Sequence, residues 1–254
     1  MGVFVIAEAG SSHDNDLAKA FRLIEAAKEC GADAVKFQWT SNANKMADRR
    51  GLGDDAALMY TKYLQKSKDW LHQLKAHADK VGVEFMCTAY LIEDIATIAP
   101  LVKRFKVSAF EAEWLEFLHA HVPFNKRMIV SHNPQYKIPE DYFGDFWRDV
   151  CDGPGQPEYL HCISKYPTPI EELGLTACTR DEGDGMGLSD HTTSTLTGAL
   201  AVAAGATIVE KHIKLSDTDP GNPDYGHSLV ADTNNPEFSF KRYVDNIRIA
   251  ERCL

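Results

Sequence analysis

The chain has 254 residues, of which 44% are hydrophobic and 25% charged, and its formal net charge is −10 at pH 7. This composition is typical of a globular protein with a large core, and the acidic charge argues against general binding of nucleic acids, which needs a basic surface. The acidic net charge does not exclude binding of a small anionic substrate, because a few lysines in a cleft are enough to bind one.

The six cysteines include no CxxC pair, and Cys87 and Cys162 lie inside apolar runs, where buried thiols are expected. The sequence shows neither a secretory signal peptide nor an apolar run long enough to span a bilayer. We therefore expect a protein of the reducing cytoplasm that does not bind membranes.

Short apolar segments, typical of buried parallel strands, alternate along the chain with segments of helical periodicity. The predicted strands cover residues 3–7, 32–38, 83–88, 104–108, 127–131, 158–164, 188–191 and 208–212. The predicted helices cover residues 16–30, 67–80, 92–99, 113–121, 142–150, 194–204 and 236–249, with a short helix after residue 169. Asp16 and Ser67 are suited to cap the first two. The connection 39–66 is long enough to be functional or partly helical. Eight such units favour a TIM (β/α)8 barrel, which we expect to span residues 1–254 as a single domain.

Polar side chains occur at or just beyond the carboxyl ends of the predicted strands. In a TIM barrel these ends meet at one rim, where enzymes of this fold hold their active sites. Residues two apart on a strand face the same side, so Lys36 and Gln38 share a face, as do Lys106 and Ser108. Some members of this set are expected to serve only as strand caps. The set consists of Glu8, Lys36, Gln38, Thr88, Lys106, Glu111, Ser164, Tyr166, Ser189, His191, Glu210, His212 and Asp224.

Residues 185–224 contain two predicted strands that each end in a histidine, His191 and His212. A right-handed βαβ unit places neighbouring strand ends side by side. Together with the nearby Asp190, Glu210 and Asp224, the two histidines predict a site for a divalent metal ion. The alternative stays open that they are hydrogen-bonded core residues, which is the more frequent role of a single strand histidine.

Lys36 and Lys106 are embedded in apolar sequence, where an ammonium group without an anionic partner is unfavourable. Two lysines from different strands, with serine and threonine hydroxyls, suit a phosphate or a carboxylate. Lys45, Arg49 and Arg50 of the long connection either reach such an anion or form a solvated basic face. A metal ion could polarise a carbonyl beside them, and the carboxylates could transfer protons. The combination suits a phosphorylated small molecule that reacts with a carbonyl compound.

Several short motifs resemble those of the sialic acid synthase family. They occur in the same order and extend over almost the whole chain. They are IAEAG at 6–10, HDN at 13–15, GADAVKFQ at 31–38, HC at 161–162, YPTP at 166–169, GLSDHT at 187–192, VEKH at 209–212 and PG at 220–221 before Asp224. The resemblance implies a TIM-barrel transferase that condenses phosphoenolpyruvate (PEP) with an aldose. Its product would be a 2-keto-3-deoxy sugar acid, formed with release of phosphate.

The resemblance also implies roles for individual residues. Mn²⁺, with Mg²⁺ or Co²⁺ as alternatives, would be held by His191 and His212. The catalytic residues would be Glu8, His191, His212 and Asp224. The acceptor sugar would be bound by Gln38, Glu111, Tyr166 and Asp224. PEP would be bound by Lys36, Thr88, Lys106, Ser164, Tyr166 and Ser189, with Ser108 in place of a family serine that lies one residue later.

The sequence departs from the family pattern near the proposed acceptor site. PGNPD at 220–224 is one residue longer than the usual PGPD, and the following YGHS at 225–228 differs from the common form. The family usually continues into an antifreeze-like domain, which lends an arginine to the partner's sugar site in a domain-swapped dimer. Here we expect the barrel without that domain, and a homodimer stays open. The acceptor would then be a sugar other than N-acetylmannosamine, or another chain would supply the cap.

Two other classes of function also fit the residues. A metal-dependent barrel aldolase, isomerase or hydrolase acting on a sugar phosphate would use the same metal site and lysines. A barrel that binds its ligand without turning it over is the third alternative, although the intact lysines, histidines and Asp224 count against it.

Overall fold

In the computed structural model, residues 2–135, 157–178 and 187–254 are described. Within them, eight parallel strands pair in chain order, and the first also pairs with the eighth, so the sheet closes into a barrel. The predicted TIM barrel is therefore confirmed. The strands are β1 Phe4–Gly10, β2 Ala34–Trp39, β3 Glu84–Ala89, β4 Arg104–Val107, β5 Arg127–His132, β6 Glu158–Cys162, β7 Gly187–Asp190 and β8 Ile208–Lys214. A two-residue strand that was not predicted, β9 Leu229–Val230, pairs with the end of β8.

Helices connect the strands, and the described ones other than the second and third pack against the outer face of the barrel. The helices are α1 Leu17–Glu29, α2 Ala43–Arg49, α3 Asp54–Tyr63, α4 Lys68–Val81, α5 Ile92–Ile98, α6 Leu115–His119, α7 Thr197–Ala204 and α8 Phe240–Cys253. The long connection after β2 is partly helical, as expected, because it contains α2 and α3. The predicted helix 142–150 lies outside the described residues. In the part of the chain that is described, no helix combines the length and the apolar character needed to cross a membrane.

Two details of the helices differ from the predictions. The expected helix 113–121 is reduced to the five residues of α6, because Trp114 adopts an extended conformation before it and a 3₁₀ turn with a proline follows it. Ser67 precedes α4, but its side chain makes no capping hydrogen bond. Asp16 does cap α1, since its carboxylate accepts from the backbone N–H groups of Ala18 and Lys19.

The side chains inside the barrel form an apolar layer and, above it, a polar layer. The apolar layer consists of Ile6, Ala34, Met86, Ile129, Leu160 and Ile208. Two residues further along the same strands lie Glu8, Lys36, Thr88, Ser131, Cys162 and Glu210, all buried. Because alternate residues of a strand face the same side, both sets point inward. The apolar layer closes the floor of the barrel, and the polar layer faces the rim at the carboxyl ends of the strands.

Gly187 of β7 is required by the apolar layer. A Cβ atom at this position would lie 2.4 Å from the carbonyl oxygen of Ile208 and 2.5 Å from Cδ2 of Leu160. Neither contact is sterically allowed, so only glycine lets β7 lie this close to its neighbours. The residue two positions later, Ser189, therefore reaches the polar layer beside Glu210.

Candidate active site at the carboxyl end of the barrel

A cavity of about 650 Å³ lies above the polar layer. All residues that the sequence singled out for PEP line it, and so do His191, His212, Gln38 and Asp224. Glu8 and Glu111 do not line the cavity, but each contacts a residue that does. The prediction that these side chains converge on one rim thus agrees with the structure, whereas their roles toward ligands stay predictions.

Lys36 lies in the cavity wall and is paired with two carboxylates. Its ammonium group contacts the Glu8 carboxylate, lies 3.7 Å from Oε2 of Glu210 and donates to Oγ1 of Thr88 at 3.2 Å. Burial by itself would lower the pKa of Lys36, but Glu210 and Glu8 outweigh it and hold the pKa above its ordinary value. Lys36 therefore stays charged.

Lys106 lies in the same polar layer, two strands away from Lys36. Its Nζ donates to Oγ of Ser131 at 2.8 Å and to the carbonyl oxygen of Val107 at 3.0 Å. Burial lowers the pKa of Lys106 although Glu210 lies 3.6 Å away. Ser131 was not among the predicted site residues. Ser131 ends its predicted strand, as the predicted site residues end theirs, so its position in the sequence could have identified it as a site residue.

Glu210 lies between the two lysines. Burial by itself would raise its pKa, but Lys106 and Lys36 outweigh it and hold the pKa below its ordinary value. Ser189 donates its hydroxyl to Oε1 of Glu210 at 3.1 Å, which orients the carboxylate. The anionic partners that the two buried lysines need are thus present within the protein, in Glu8 and Glu210. Both ammonium groups line the cavity together with hydroxyl donors.

Glu8 lies behind Lys36 and also accepts a hydrogen bond from Nε2 of Gln38 at 3.0 Å. It is 1% exposed, and burial raises its pKa to about 7. Glu8 thus positions Lys36 and Gln38 from outside the cavity.

We expect Glu8→Gln to remove a pH dependence of stability. Folded Glu8 keeps its proton up to about pH 7, whereas an unfolded glutamate loses it near 4.5, so the folded state binds more protons between these values. The free energy of unfolding of the wild type should therefore fall, relative to the variant, by up to about 3 kcal/mol as the pH rises through this window. Denaturant unfolding at a series of pH values measures it, and a constant difference between the two proteins would contradict it.

Arg50, which lines the cavity, forms an ion pair with Glu111. Nε and Nη2 of Arg50 donate to Oε1 of Glu111 at 2.9 and 2.7 Å, and Nη1 donates to the Tyr60 hydroxyl at 3.1 Å. Ser108 also donates its hydroxyl to Glu111. Ser108, one residue beyond the end of β4, lines the same cavity as Lys106. The hydroxyl next to Lys106 is that of Ser131.

The other basic residues of the long connection do not face the cavity. Lys45 pairs with the exposed Glu93, and the guanidinium group of Arg49 stacks on the ring of Trp114. Arg50 alone among these three lines the cavity.

Three further side chains, His212, Asp224 and His227, converge next to the polar layer. Nδ1 of His212 lies 3.8 Å from Oδ2 of Asp224, and Nε2 of His227 lies 3.6 Å from Oδ1 of the same carboxylate. The ligand atoms of these three residues all lie within 4.8 Å of one another, which makes them a group able to hold a metal ion. His227 was not predicted, although the sequence around it had been noted as unusual.

His191 adjoins this group without being part of it. Its ring centroid lies 5.5 Å from that of His212, and its Nδ1 donates to the carbonyl oxygen of Ile163 at 2.8 Å. Burial lowers the pKa of His191 to about 4, so its ring is neutral near neutral pH. The structure thus places the two predicted histidines side by side, as the βαβ argument required.

Asp190 does not belong to the histidine group, contrary to the sequence interpretation. It follows Ser189 and precedes His191, so strand alternation turns it to the outer face of the barrel. There it lies 3.1 Å from Nζ of Lys211, and both side chains are fully buried.

The sequence model of the NeuB family matches residues 23–254. The chain belongs to the NeuB family.

Relatives of this NeuB chain cover it almost completely. The N,N'-diacetyllegionaminic acid synthase of Legionella pneumophila is 32% identical, over 100% of this chain and 74% of that protein. The pseudaminic acid synthase of Campylobacter jejuni is 31% identical, over 99% of this chain and 75% of that protein. The crystal structure of N-acetylneuraminic acid synthetase from Leptospira borgpetersenii in complex with citrate has a TM-score of 0.85 at 23% identity. It covers 100% of this chain and 85% of that one, and at this identity the likeness shows the fold.

Asn222, the residue by which PGNPD in this NeuB chain is longer than the usual PGPD motif, anchors Asp224. Oδ1 of Asn222 accepts from the backbone N–H of Asp224 at 3.0 Å and from the Ser11 hydroxyl at 2.7 Å. The backbone N–H of Ser11 donates to Oδ2 of Asp224 at 2.6 Å, and the single hydroxyl proton of Ser11, whose oxygen lies 2.8 Å from the same Oδ2, is shared between Asp224 and Asn222. Asp224 is therefore held from two sides, with its carboxylate directed at the histidines.

Proposed function

We propose that the chain is a synthase that condenses PEP with an aldose and releases phosphate, giving a 2-keto-3-deoxy sugar acid. The observation that carries this proposal is one cavity in which two buried lysines with hydroxyl donors lie beside the histidine–aspartate group, which consists of His212, Asp224 and His227. The relatives support it, since one is an N,N'-diacetyllegionaminic acid synthase and another a pseudaminic acid synthase.

PEP would bind at the polar layer. Its phosphate and carboxylate are anions, and Lys36 and Lys106 present ammonium groups from different strands of the barrel. Hydroxyl groups that line the cavity would donate further hydrogen bonds to these anions; they belong to Thr88, Ser131 and Ser164, and Ser189 would donate to PEP when its proton leaves Glu210.

The reaction joins the enol carbon of PEP to the aldehyde carbon of the acceptor, whose oxygen takes up a proton. Water then adds to the carbon that carries the phosphate, and the bond from that carbon to the phosphate oxygen breaks.

The histidine–aspartate group fits a divalent ion, because Nδ1 of His212 and Nε2 of His227 are buried without a hydrogen-bond partner. Such an ion, which we propose to be Mn²⁺ with Mg²⁺ or Co²⁺ as alternatives, would act as a Lewis acid toward the aldehyde. Cys162 lines the cavity, but burial raises the pKa of its thiol to about 11, so no activated thiolate competes as a nucleophile.

The acceptor sugar would lie between Asp224 and the Arg50–Glu111 pair. Gln38 and Tyr166 line the same cavity and can hydrogen-bond sugar hydroxyls. The guanidinium carbon of Arg50 lies 4.9 Å from the ring centre of Tyr90 and 5.0 Å from that of Phe110. Arg50 is thereby fixed between aromatic rings, and it would present a hydrogen-bond donor to the acceptor.

Phosphate release from PEP, measured with Mn²⁺ against a panel of aldoses, tests the proposal. We expect release that requires both PEP and one class of aldose, with a 2-keto acid formed in equal amount. Turnover of a sugar phosphate without PEP would contradict the proposal in favour of an aldolase, isomerase or hydrolase. Binding of PEP without phosphate release for any aldose would contradict it in favour of a non-catalytic barrel.

A further inference from the structure

Two buried imidazole nitrogens point at one carboxylate and have no hydrogen-bond partner. They are Nδ1 of His212 and Nε2 of His227, which lie 3.8 and 3.6 Å from the oxygens of Asp224. These distances are too long for hydrogen bonds. The histidines are only 6% and 3% exposed, so solvent does not satisfy them either. A buried polar atom left in this state costs about 1–3 kcal/mol, and a common partner between the three groups would remove that cost.

A metal ion is a partner of the right size and chemistry. Ligand atoms bound to one ion at about 2.0–2.2 Å lie about 3–3.5 Å apart, and the three groups already lie within 4.8 Å of one another. Small side-chain rotations would therefore close the site. Two imidazoles and one carboxylate, with positions left open, form a ligand set that first-row divalent metals accept.

A direct pairing of the two histidines with Asp224 is disfavoured by the geometry, because neither nitrogen lies within hydrogen-bond distance of the carboxylate. An imidazole nitrogen with a free lone pair is the form that binds a metal ion.

The three groups are held in place by separate parts of the chain. His212 lies on β8, where the parallel ladder pairs it with Glu8 of β1. Asp224 is fixed by Ser11 and Asn222, and the Ser228 hydroxyl donates to the carbonyl oxygen of Asp224 at 2.6 Å. The last contact closes the turn that carries His227, so the turn directs this histidine back into the site.

We propose that His227 is a ligand of the divalent ion, and that it forms with His212 and Asp224 a site of three protein ligands. The inference assigns a role to the unusual sequence at 225–228, and it differs from the pair His191 and His212 that the family resemblance implies. It concerns the metal ion invoked by the proposed function, but it is tested by metal binding alone, without PEP or an acceptor.

The experiment is a titration of the metal-free full chain with Mn²⁺, with free Mn²⁺ followed by its electron paramagnetic resonance signal. We expect one site in the wild type. His227→Ala and His227→Gln should each weaken Mn²⁺ binding at least about tenfold, which corresponds to 1.4 kcal/mol. The matched control is His77→Ala on α4, whose ring nitrogen pairs with Glu25 far from the cavity. It should bind Mn²⁺ within about twofold of the wild type.

Thermal unfolding of each variant without metal checks that the fold is kept, and His227→Gln preserves most of the side-chain volume if His227→Ala does not fold. The proposal would be overturned if both His227 variants bound Mn²⁺ within about twofold of the wild type. It would also be overturned if His191→Ala lost Mn²⁺ binding while neither His227 variant did. A wild type that binds no Mn²⁺ would also overturn it. If Mn²⁺ binds as expected but PEP is not consumed with any aldose, the proposed function fails while this inference stands.

Discussion

Replacing Lys36 or Lys106 with methionine should weaken PEP binding about tenfold to a hundredfold. A charge-assisted contact of this kind contributes about 1.5–3 kcal/mol, which corresponds to that range of affinity. Both ammonium groups line the cavity and are almost completely buried, so solvent cannot replace them. The measurement is a PEP titration at fixed Mn²⁺ and fixed ionic strength, since salt screens charges.

The two variants should differ in stability. Lys36 pairs with both Glu8 and Glu210, whereas Lys106 has Glu210 as its carboxylate partner. Above about pH 7, where Glu8 is ionised, removing Lys36 leaves this carboxylate buried without a cation, which is costly, while Glu210 keeps one lysine in either variant. We therefore expect Lys36→Met to lose more stability than Lys106→Met. Adding Glu8→Gln to Lys36→Met should restore part of the stability but none of the PEP affinity, which separates folding from binding.

Lys45→Met is the matched control for both variants. Lys45 carries the same charge but lies on the surface, half-exposed and paired with Glu93. It should bind PEP as the wild type does. If Lys36→Met and Lys106→Met also stayed within about twofold of the wild type, the lysines would be structural and the anion site would lie elsewhere.

Lys211→Met should cause the largest loss of stability, about 3–5 kcal/mol, because it leaves Asp190 buried without a counter-charge. Both side chains of this ion pair are 0% exposed. Asp190 also accepts from the backbone N–H of Thr192 at 2.8 Å and from the Tyr243 hydroxyl at 2.9 Å, and so ties β7 to α8. For a chain of this length, such a loss corresponds to a decrease in Tm on the order of 10 °C. Denaturant and thermal unfolding measure it.

Two comparisons make this result specific to the buried charge. Lys211→Met combined with Asp190→Asn should recover part of the lost stability, since no unpaired charge remains. Lys241→Met removes a lysine whose ion pair with Asp245 is half-exposed, and it should cost less than about 1 kcal/mol. A loss below about 1 kcal/mol for Lys211→Met would show that the pair does not support the fold. The folded Lys211→Met protein should still bind PEP, because Lys211 faces away from the cavity.

The barrel and most of its rim were predictable from the sequence. The predicted strands overlap all eight observed ones, because apolar runs bounded by polar residues mark buried strands over a few residues. Strand alternation then correctly placed Lys36 with Gln38 in the cavity. The same rule, applied to Asp190, would have turned it away from the histidines. That error came from grouping acidic residues by their distance along the chain.

Which polar groups meet depends on strand register and loop conformation, and therefore on residues far apart in the chain. Lys106 meets Ser131, which is 25 positions later, and Asp224 is held by Ser11, which is 213 positions earlier. No local periodicity carries such pairings. Apolar spacing, caps and motif words determine where strands and helices lie and which residues reach the rim. Closure of the sheet decides that Glu8 and Glu210 neutralise Lys36, and the turn after Asp224 decides that His227 faces His212, because both arrangements exist only once distant segments have packed together.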